Sequence, residues 1–207
     1  MQRGKRVIRA VLLDMDGTIW HNPVDWVELR EELGLKVDHL PISQQLARLS
    51  PAARAAGERR LREAEARGVE QGHPMPGAKE LVEFLAARGV KCALVTNNSR
   101  DSVRGVLARH PLPFQAVFPR EEIPLKPDPG AFLVPLGKLG VAPEEACVVG
   151  DSHLDLIAAH RAGVGEVILV APQGWMRAFF PPGARFHEVG DLGEARALLT
   201  EWLGARS

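Results

Sequence analysis

Cysteine is scarce: two occur in 207 residues, and no C-x-x-C or H-E-x-x-H spacing is present. Cys92 and Cys147 each sit in an apolar run, Val90–Val95 and Ala146–Val149. They read as reduced thiols buried in strands, not as a disulfide or a metal pair. The seven histidines are scattered, so no zinc site is expected. Net charge is also missing, with 26 basic residues against 26 acidic ones. That balance leaves no electrostatic footprint for nucleic acid or an anionic membrane. No apolar run approaches the ~18 residues of a membrane span. The basic start, Met1-Gln-Arg-Gly-Lys-Arg6, precedes a run that is too short and too quickly acidic for a signal peptide. A cytoplasmic location is expected. Internal repeats and low-complexity stretches are absent, and the length suits one domain plus an insertion, or two small domains.

What is present is concentrated near the start. The apolar run Val7–Leu13 leads directly into Asp14-Met-Asp-Gly-Thr18. A run of this kind reads as a strand buried on both faces of a parallel sheet. Side chains alternate along a strand, so Asp14 and Asp16 point the same way if the extended geometry persists. Two carboxylates that close are unfavourable unless a cation or a shared proton relieves them. Gly17 permits a tight turn and close approach of the backbone to a ligand, and Thr18 is placed to cap or to donate a hydrogen bond. The stretch reads as a phosphate-and-metal site.

Beyond Thr18, Ile19–Pro23 is a turn-rich exit, and Val24–Leu33 is a short amphipathic helix stopped at Gly34. A second helix is expected within Asp38–Leu49, interrupted near Pro41. Ser50-Pro51 then signals a helix start, with Ser as N-cap and Pro at the first position. That helix, Pro51–Arg67, has a narrow apolar face, and Gly68 suits its C′ position. Residues 20–73 thus form a helical insertion with no strand signal.

From Pro74 helices and strands alternate. The helices are Lys79–Arg88, Asp101–His110, one opened by Asp128-Pro129 and ending at Leu139, and Ser152–Ala162. The strands are Val90–Val95, Phe114–Phe118, Ala146–Val149 and Val167–Ala171, with Arg185–Val189 as an edge strand and Asp191–Leu203 as a closing helix. Alternation of this kind predicts a parallel sheet covered by helices on both faces. The predicted fold is α/β: a Rossmann-like sheet from residues 1–19 and 74–207, with a small helical cap, 20–73, inserted after the first strand.

Four polar groups then stand at carboxyl ends of strands: Asp14 with Asp16, Thr96, Lys126, and Asp151 with Asp155. Ligands in open α/β sheets bind at that edge. Asp151 and Asp155 are four positions apart, so they can share one face at a helix start. Several carboxylates in one cleft suit a hard cation with oxygen ligands, Mg²⁺ before Ca²⁺. Lys126 and Thr96 add a positive charge and a hydroxyl donor, the groups that hold a phosphoryl group.

These residues resemble the haloacid dehalogenase superfamily of phosphohydrolases. Its first motif is similar to Asp14-Met-Asp-Gly-Thr18, its second to Thr96, its third to Lys126 in Lys126-Pro-Asp-Pro129, and its fourth to Gly150-Asp-Ser-His-Leu-Asp155. The resemblance implies that Asp14 attacks phosphorus and forms an aspartyl-phosphate, while Asp16 protonates the leaving oxygen and later activates water. It implies that Thr96 and Asn97 bind phosphate and that Lys126 neutralises charge. Asp14, the main-chain carbonyl of Asp16, and Asp151 would hold Mg²⁺, with Asp155 orienting the metal shell. The presence of Asp16 argues against a dehalogenase, whose leaving halide needs no proton. Between Asp14 and Thr96 lie 81 residues, room for a helical cap, and between Thr96 and Lys126 only 29, too few for a second α/β cap. That spacing points to the helical-cap, phosphoglycolate-phosphatase-like group, acting on a small phosphorylated metabolite.

Two other readings share these residues: a phosphomutase of the same fold, and a non-enzymatic phosphate-responsive module. The second would place its phosphorylated Asp on a later strand. Away from the motifs, His153 is expected on a solvent-facing first turn. Arg54, Arg59, Arg60 and Arg62 are expected on a solvated helix face. Trp20 and His21 can serve either packing or substrate. Trp175, Phe179 and Phe180, in the Pro172–Gly183 loop, are expected to be anchors.

Overall fold

The apolar runs do form strands, and neighbouring residues on each strand part company. In the computed structural model, which describes residues 7–204, β1 (Ala10–Leu13) sends Val11 and Leu13 to one apolar cluster and Ala10 and Leu12 to another. Period-two alternation across a pleated strand requires this, and both destinations are buried because helices cover both faces. The basic stretch 1–6 lies outside the described residues.

After β1 comes the insertion, made of β2 (Trp20–His21), α1 (Trp26–Glu32), α2 (Ile42–Leu46), α3 (Pro51–Gln71) and β3 (His73–Pro74). Then follow α4 (Ala78–Ala87), β4 (Lys91–Val95), α5 (Arg100–Arg109), β5 (Ala116–Phe118), α6 (Gly130–Leu139) and β6 (Ala146–Gly150). The chain closes with α7 (His153–Ala162), β7 (Glu166–Val170), β8 (His187–Val189) and α8 (Leu192–Gly204). The main sheet has the order β5-β4-β1-β6-β7-β8, and every neighbouring pair is parallel. Residues of α4, α5 and α8 fill one face, and those of α6 and α7 fill the other. Leu12, Leu13, Leu81, Leu94 and Leu156 are fully buried, and each such side chain contributes roughly 1.5–3 kcal/mol. Cys92 and Cys147 are free and buried, and burial pushes the Cys92 thiol up to about 12.

The insertion has its own small cluster of Leu29, Ile42, Leu46, Leu61 and Ala64. It departs from the sequence reading at its base and in its long helix. The turn-rich exit is strand β2, paired antiparallel with β3 through Trp20↔Pro74 and His21↔His73. Two residues are too few to show a period, so no strand signal was readable. Helix α3 also runs past Gly68 to Gln71, with Gly72 at its C-terminus. Gly68 is a contact point within the helix: its carbonyl accepts the Trp20 Nε1 hydrogen at 3.0 Å, and a Cβ there would stand 2.4 Å from Asn22 Oδ1. Ser50 makes no side-chain capping bond. Strand β1 begins at Ala10, with Val7 exposed. Helix α6 starts at Gly130, whose N–H donates to Asp128 Oδ1 at 2.7 Å.

Candidate active site

Strand β1 lies between β4 and β6, and the chain winds outward from it in opposite directions. The loops leaving these adjacent carboxyl ends diverge and open a crevice at the point of reversal. Asp14 follows β1, Thr96 follows β4, and Asp151 follows β6. All three, with Asp16, Asn97 and Lys126, line one cleft of about 850 Å³. The insertion supplies the facing wall, including Trp26, Arg30, Ile42, Leu61 and Glu65.

The turn after β1 is tight. Met15 O accepts the N–H groups of Thr18, Ile19 and Trp20, and Met15 itself is fully buried in the core. The backbone is not extended there, yet Asp14 and Asp16 both reach the cleft. Gly17 has φ +74°, and a Cβ on it would fall 2.2 Å from Asp151 Oδ2, so only glycine lets this turn sit under the Asp151 carboxylate. Thr18 is buried, and its hydroxyl has no partner among the described residues. The expected hydrogen bond is not made.

Lys126 is the hub. Its Nζ lies 2.5 Å from Asp14 Oδ1 and 2.7 Å from Asp155 Oδ1, and it donates to Val95 O at 3.1 Å. Asp155, wholly buried, also accepts from Ser152 N and Oγ at 3.2 and 2.6 Å. Ser152 and Asp155 thus form a capping box at the start of α7. Carboxylate oxygens of Asp14, Asp151 and Asp155 lie within 4.8 Å of one another. Asp151 has no ion-pair partner among the described residues. The Asp16 carboxylate stands apart from this group. Its Oδ2 accepts from Asn98 Nδ2 at 2.8 Å and from Asn22 Nδ2 at 3.0 Å, and its buried Oδ1 has no partner among the described residues.

Burial dominates the electrostatics. It pushes Asp14 up to about 7, Lys126 pulling down and Asp155 pushing further up. Burial likewise raises Asp16 to about 6, against the hydrogen bonds from Asn98 and Asn22. Asp151 is raised well above the usual carboxylate range by burial and by Asp14 and Asp155. Burial alone would lower the Lys126 ammonium, but its two acids outweigh that and hold it above its ordinary value. One lysine against Asp14, Asp151 and Asp155 leaves this cluster short of positive charge.

Thr96 is buried, and its Oγ1 accepts from Asn98 N at 3.1 Å. The Asn97 side chain is taken up by the main chain of Lys126, giving Nδ2 to Lys126 O at 3.0 Å and receiving Lys126 N at 2.9 Å. It braces the loop after β4 against the loop that carries Lys126. His153 corrects the sequence reading: it is 3% exposed, with Nε2 3.4 Å from Asp38 O and its ring against Trp175 and Phe179. The 3₁₀ turn Gly174–Phe179 covers what a first helical turn would otherwise show to solvent. Trp20 is a packing residue, His21 lines the cleft, and the anchor Trp175 lines it too. Arg54 pairs with Glu58, and Arg60 with Glu32 and Glu63, on the exposed face of α3.

Cleft residues that escaped the sequence reading include Asn22, Arg30, Glu65, Asn98 and Arg120. Glu65 of α3 pairs with Arg120 and accepts from Ser99 Oγ at 2.6 Å, joining the insertion to the sheet domain. Asn98 stood inside Thr96-Asn-Asn-Ser99, but nothing in that string shows which asparagine reaches the acid.

Residues 8–163 match the family model for haloacid dehalogenase-like hydrolases. A phosphoglycolate phosphatase of Rhodospirillum rubrum is 29% identical, over 95% of this chain and 91% of its own. An uncharacterized hydrolase of Saccharomyces cerevisiae is also 29% identical, over 81% of this chain and 79% of its own. The crystal structure of a hydrolase from Pseudomonas syringae superposes with a TM-score of 0.77 at 20% identity, covering 93% of this chain and 98% of that one.

Proposed function

The chain belongs to the haloacid dehalogenase-like hydrolases, and we propose that it hydrolyses a small phosphomonoester in a Mg²⁺-dependent reaction through a phosphorylated Asp14. The observation that carries this reading is the Asp14–Lys126–Asp155 chain, with Asp151 beside it and without a counter-charge. The relative from Rhodospirillum rubrum, named a phosphoglycolate phosphatase, supports a small phosphorylated substrate. Residues 20–73 act as a cap over the cleft, and a cytoplasmic location goes with this reading.

The residues fit a hard divalent cation. Their donors are carboxylate oxygens, they crowd within 4.8 Å, and burial, only partly offset by Lys126, holds Asp14 and Asp151 above the usual carboxylate range. Asp14 and Asp151 would hold the ion together with the main-chain carbonyl of Asp16. Asp155 orients that shell through Lys126 and the capping box. Bound there, Mg²⁺ supplies positive charge that attracts phosphoryl oxygens and offsets charge in the transition state.

The chain's own groups account for the remaining chemistry. An Asp14 oxygen attacks phosphorus in line, forming one P–O bond as the ester bond breaks. Asp16, raised to about 6, keeps part of its population protonated near neutrality and gives its proton to the leaving oxygen. Water then attacks the aspartyl-phosphate, Asp16 takes a proton back, and phosphate leaves with Asp14 restored. Lys126 keeps Asp14 turned toward the cleft and balances phosphoryl charge, while Thr96 and the main chain of Asn97 bind phosphoryl oxygens.

The test is phosphate release from a panel of phosphorylated metabolites, with Mg²⁺ and with a chelator. Mg²⁺-dependent release from at least one substrate is expected. A folded protein that releases no phosphate from any of them overturns the proposal.

A further inference from the structure

Strand β2 opens the insertion and β3 closes it, and the two pair antiparallel with His21 directly opposite His73. Side chains alternate along a strand. Trp20 is buried, so His21 turns to the opposite face of the ribbon, and His73, as its cross-strand partner, shares that face. Both histidines are exposed. Their ring centroids stand 4.5 Å apart, with the planes tilted by 49°. Distance along the chain hides this pair, because the seven histidines read as scattered.

Neither ring is spent on the protein. His153 and His187 each engage an oxygen through a ring nitrogen, Asp38 O and Glu166 Oε2. His21 and His73 make no such bond among the described residues, so each imidazole keeps a lone pair to give. Imidazole suits Zn²⁺, Cu²⁺ and Ni²⁺, whereas Mg²⁺ takes oxygen ligands. A tetrahedral ion holds nitrogen at about 2.0–2.1 Å, which sets two such donors roughly 3.3 Å apart. Rings this close meet that spacing by turning about their side-chain bonds. No third His, Cys, Asp or Glu joins the pair among the described residues, which leaves the other coordination positions to water. An ion held by two protein ligands exchanges readily, unlike a structural zinc with four.

We propose that His21 and His73 form a metal site, separate from the carboxylate cluster, for a divalent transition-metal ion that favours imidazole, of the Zn²⁺ and Cu²⁺ class. The ion ties the strand that enters the insertion to the strand that leaves it, and His21 sets it at the edge of the cleft. Its binding does not depend on the phosphatase reading. Ring packing alone would give the same contact and no affinity for metal.

The experiment titrates wild type, His21→Ala, His73→Ala and His160→Ala with Cu²⁺ in a large excess of Mg²⁺. Calorimetry follows binding, and electron paramagnetic resonance reports the ligands. His160, exposed on α7, is the control for a lone surface histidine. Wild type and His160→Ala should bind one equivalent whose spectrum carries splitting from two imidazole nitrogens. His21→Ala and His73→Ala should each bind at least about 10-fold more weakly, since losing even an outer hydrogen-bond partner of a ligand costs that much. Their spectra should show one nitrogen. Equal affinity in all four proteins marks adventitious surface binding only and overturns the inference, as does a one-nitrogen spectrum in wild type. Cu²⁺ binding that Mg²⁺ suppresses lies on the carboxylates and also overturns it. Should one alanine variant fail to fold, the other variant and the wild-type spectrum decide.

Discussion

Asn22 gives a side-chain hydrogen bond to Asp16, Nδ2 to Oδ2 at 3.0 Å, so a residue at the entry to the insertion holds in place the carboxylate proposed as acid/base. Asn98 bonds the same oxygen from the loop after β4 at 2.8 Å. Both bonds stabilise the carboxylate and work against the burial that sets Asp16 at about 6. Replacing either asparagine with alanine removes a donor and raises the Asp16 pKa further. The descending limb of kcat/KM against pH, which in the proposed mechanism follows loss of the Asp16 proton, should move to higher pH in Asn22→Ala and in Asn98→Ala. A roughly tenfold fall in kcat should accompany it through mispositioning. A lower rate with an unmoved limb would separate these residues from Asp16.

Asp14→Asn tests the nucleophile. The amide keeps an oxygen that can accept from Lys126 but cannot form the acyl phosphate. Turnover should drop by roughly 10³-fold or more, with the fold retained. Intact-mass measurement of acid-quenched protein should find a phosphorylated species in the wild type and none in the variant. Turnover at the wild-type level would reject Asp14.

Which of these features could be read in one dimension follows from where each signal lies. Strand β1 and its two acids were legible because an apolar run ends in carboxylates one residue apart, a local pattern. Lys126 was legible through the order of motifs, although its partner Asp14 is 112 positions away. Asn98 and Asp16 are 82 positions apart, and neither flank of Asn98 advertises the contact. His153 was read as exposed because a helix's first turn normally faces water, and the turn that covers it, Gly174–Phe179, is remote in the chain. Arg30 lay in an ordinary amphipathic helix. That its guanidinium is bonded to the carbonyls of Trp26 and Leu40, with no direct ion pair among the described residues, is a property of the fold and has no sequence signature.

The raised carboxylates tie stability to pH and, through the proposed cation site, to Mg²⁺. Asp14 and Asp16 stand at about 7 and about 6 in the folded chain, against roughly 3.9 for an unperturbed Asp. The folded state therefore binds more protons than the unfolded state between those values, and stability falls as pH rises through that window. In chelator-treated protein, the melting temperature should decline between about pH 4 and pH 7, as far as these groups govern it. Mg²⁺, which favours the ionised form, should raise the melting temperature more at pH 8 than at pH 5. Equal Mg²⁺ stabilisation at both pH values would break the link between these acids and the metal.

Gly68→Ala sets local propensity against the site. Alanine in a helix interior ordinarily gains roughly 0.5–1 kcal/mol over glycine, and Gly68 lies within α3. Its new Cβ, however, would stand 2.4 Å from Asn22 Oδ1 and 2.6 Å from Nδ2. Asn22 cannot simply swing aside, because Oδ1 also accepts from Val24 N at 3.0 Å while Nδ2 serves Asp16. Gly68→Ala should therefore reproduce the activity loss and the pH-limb shift of Asn22→Ala. The double variant, with the clash relieved, should be no less active than Asn22→Ala alone and more stable than Gly68→Ala. Non-additivity of that kind is the signature of two residues acting through one contact. Additive losses of activity would show that Gly68 affects the enzyme by a route that does not pass through Asn22.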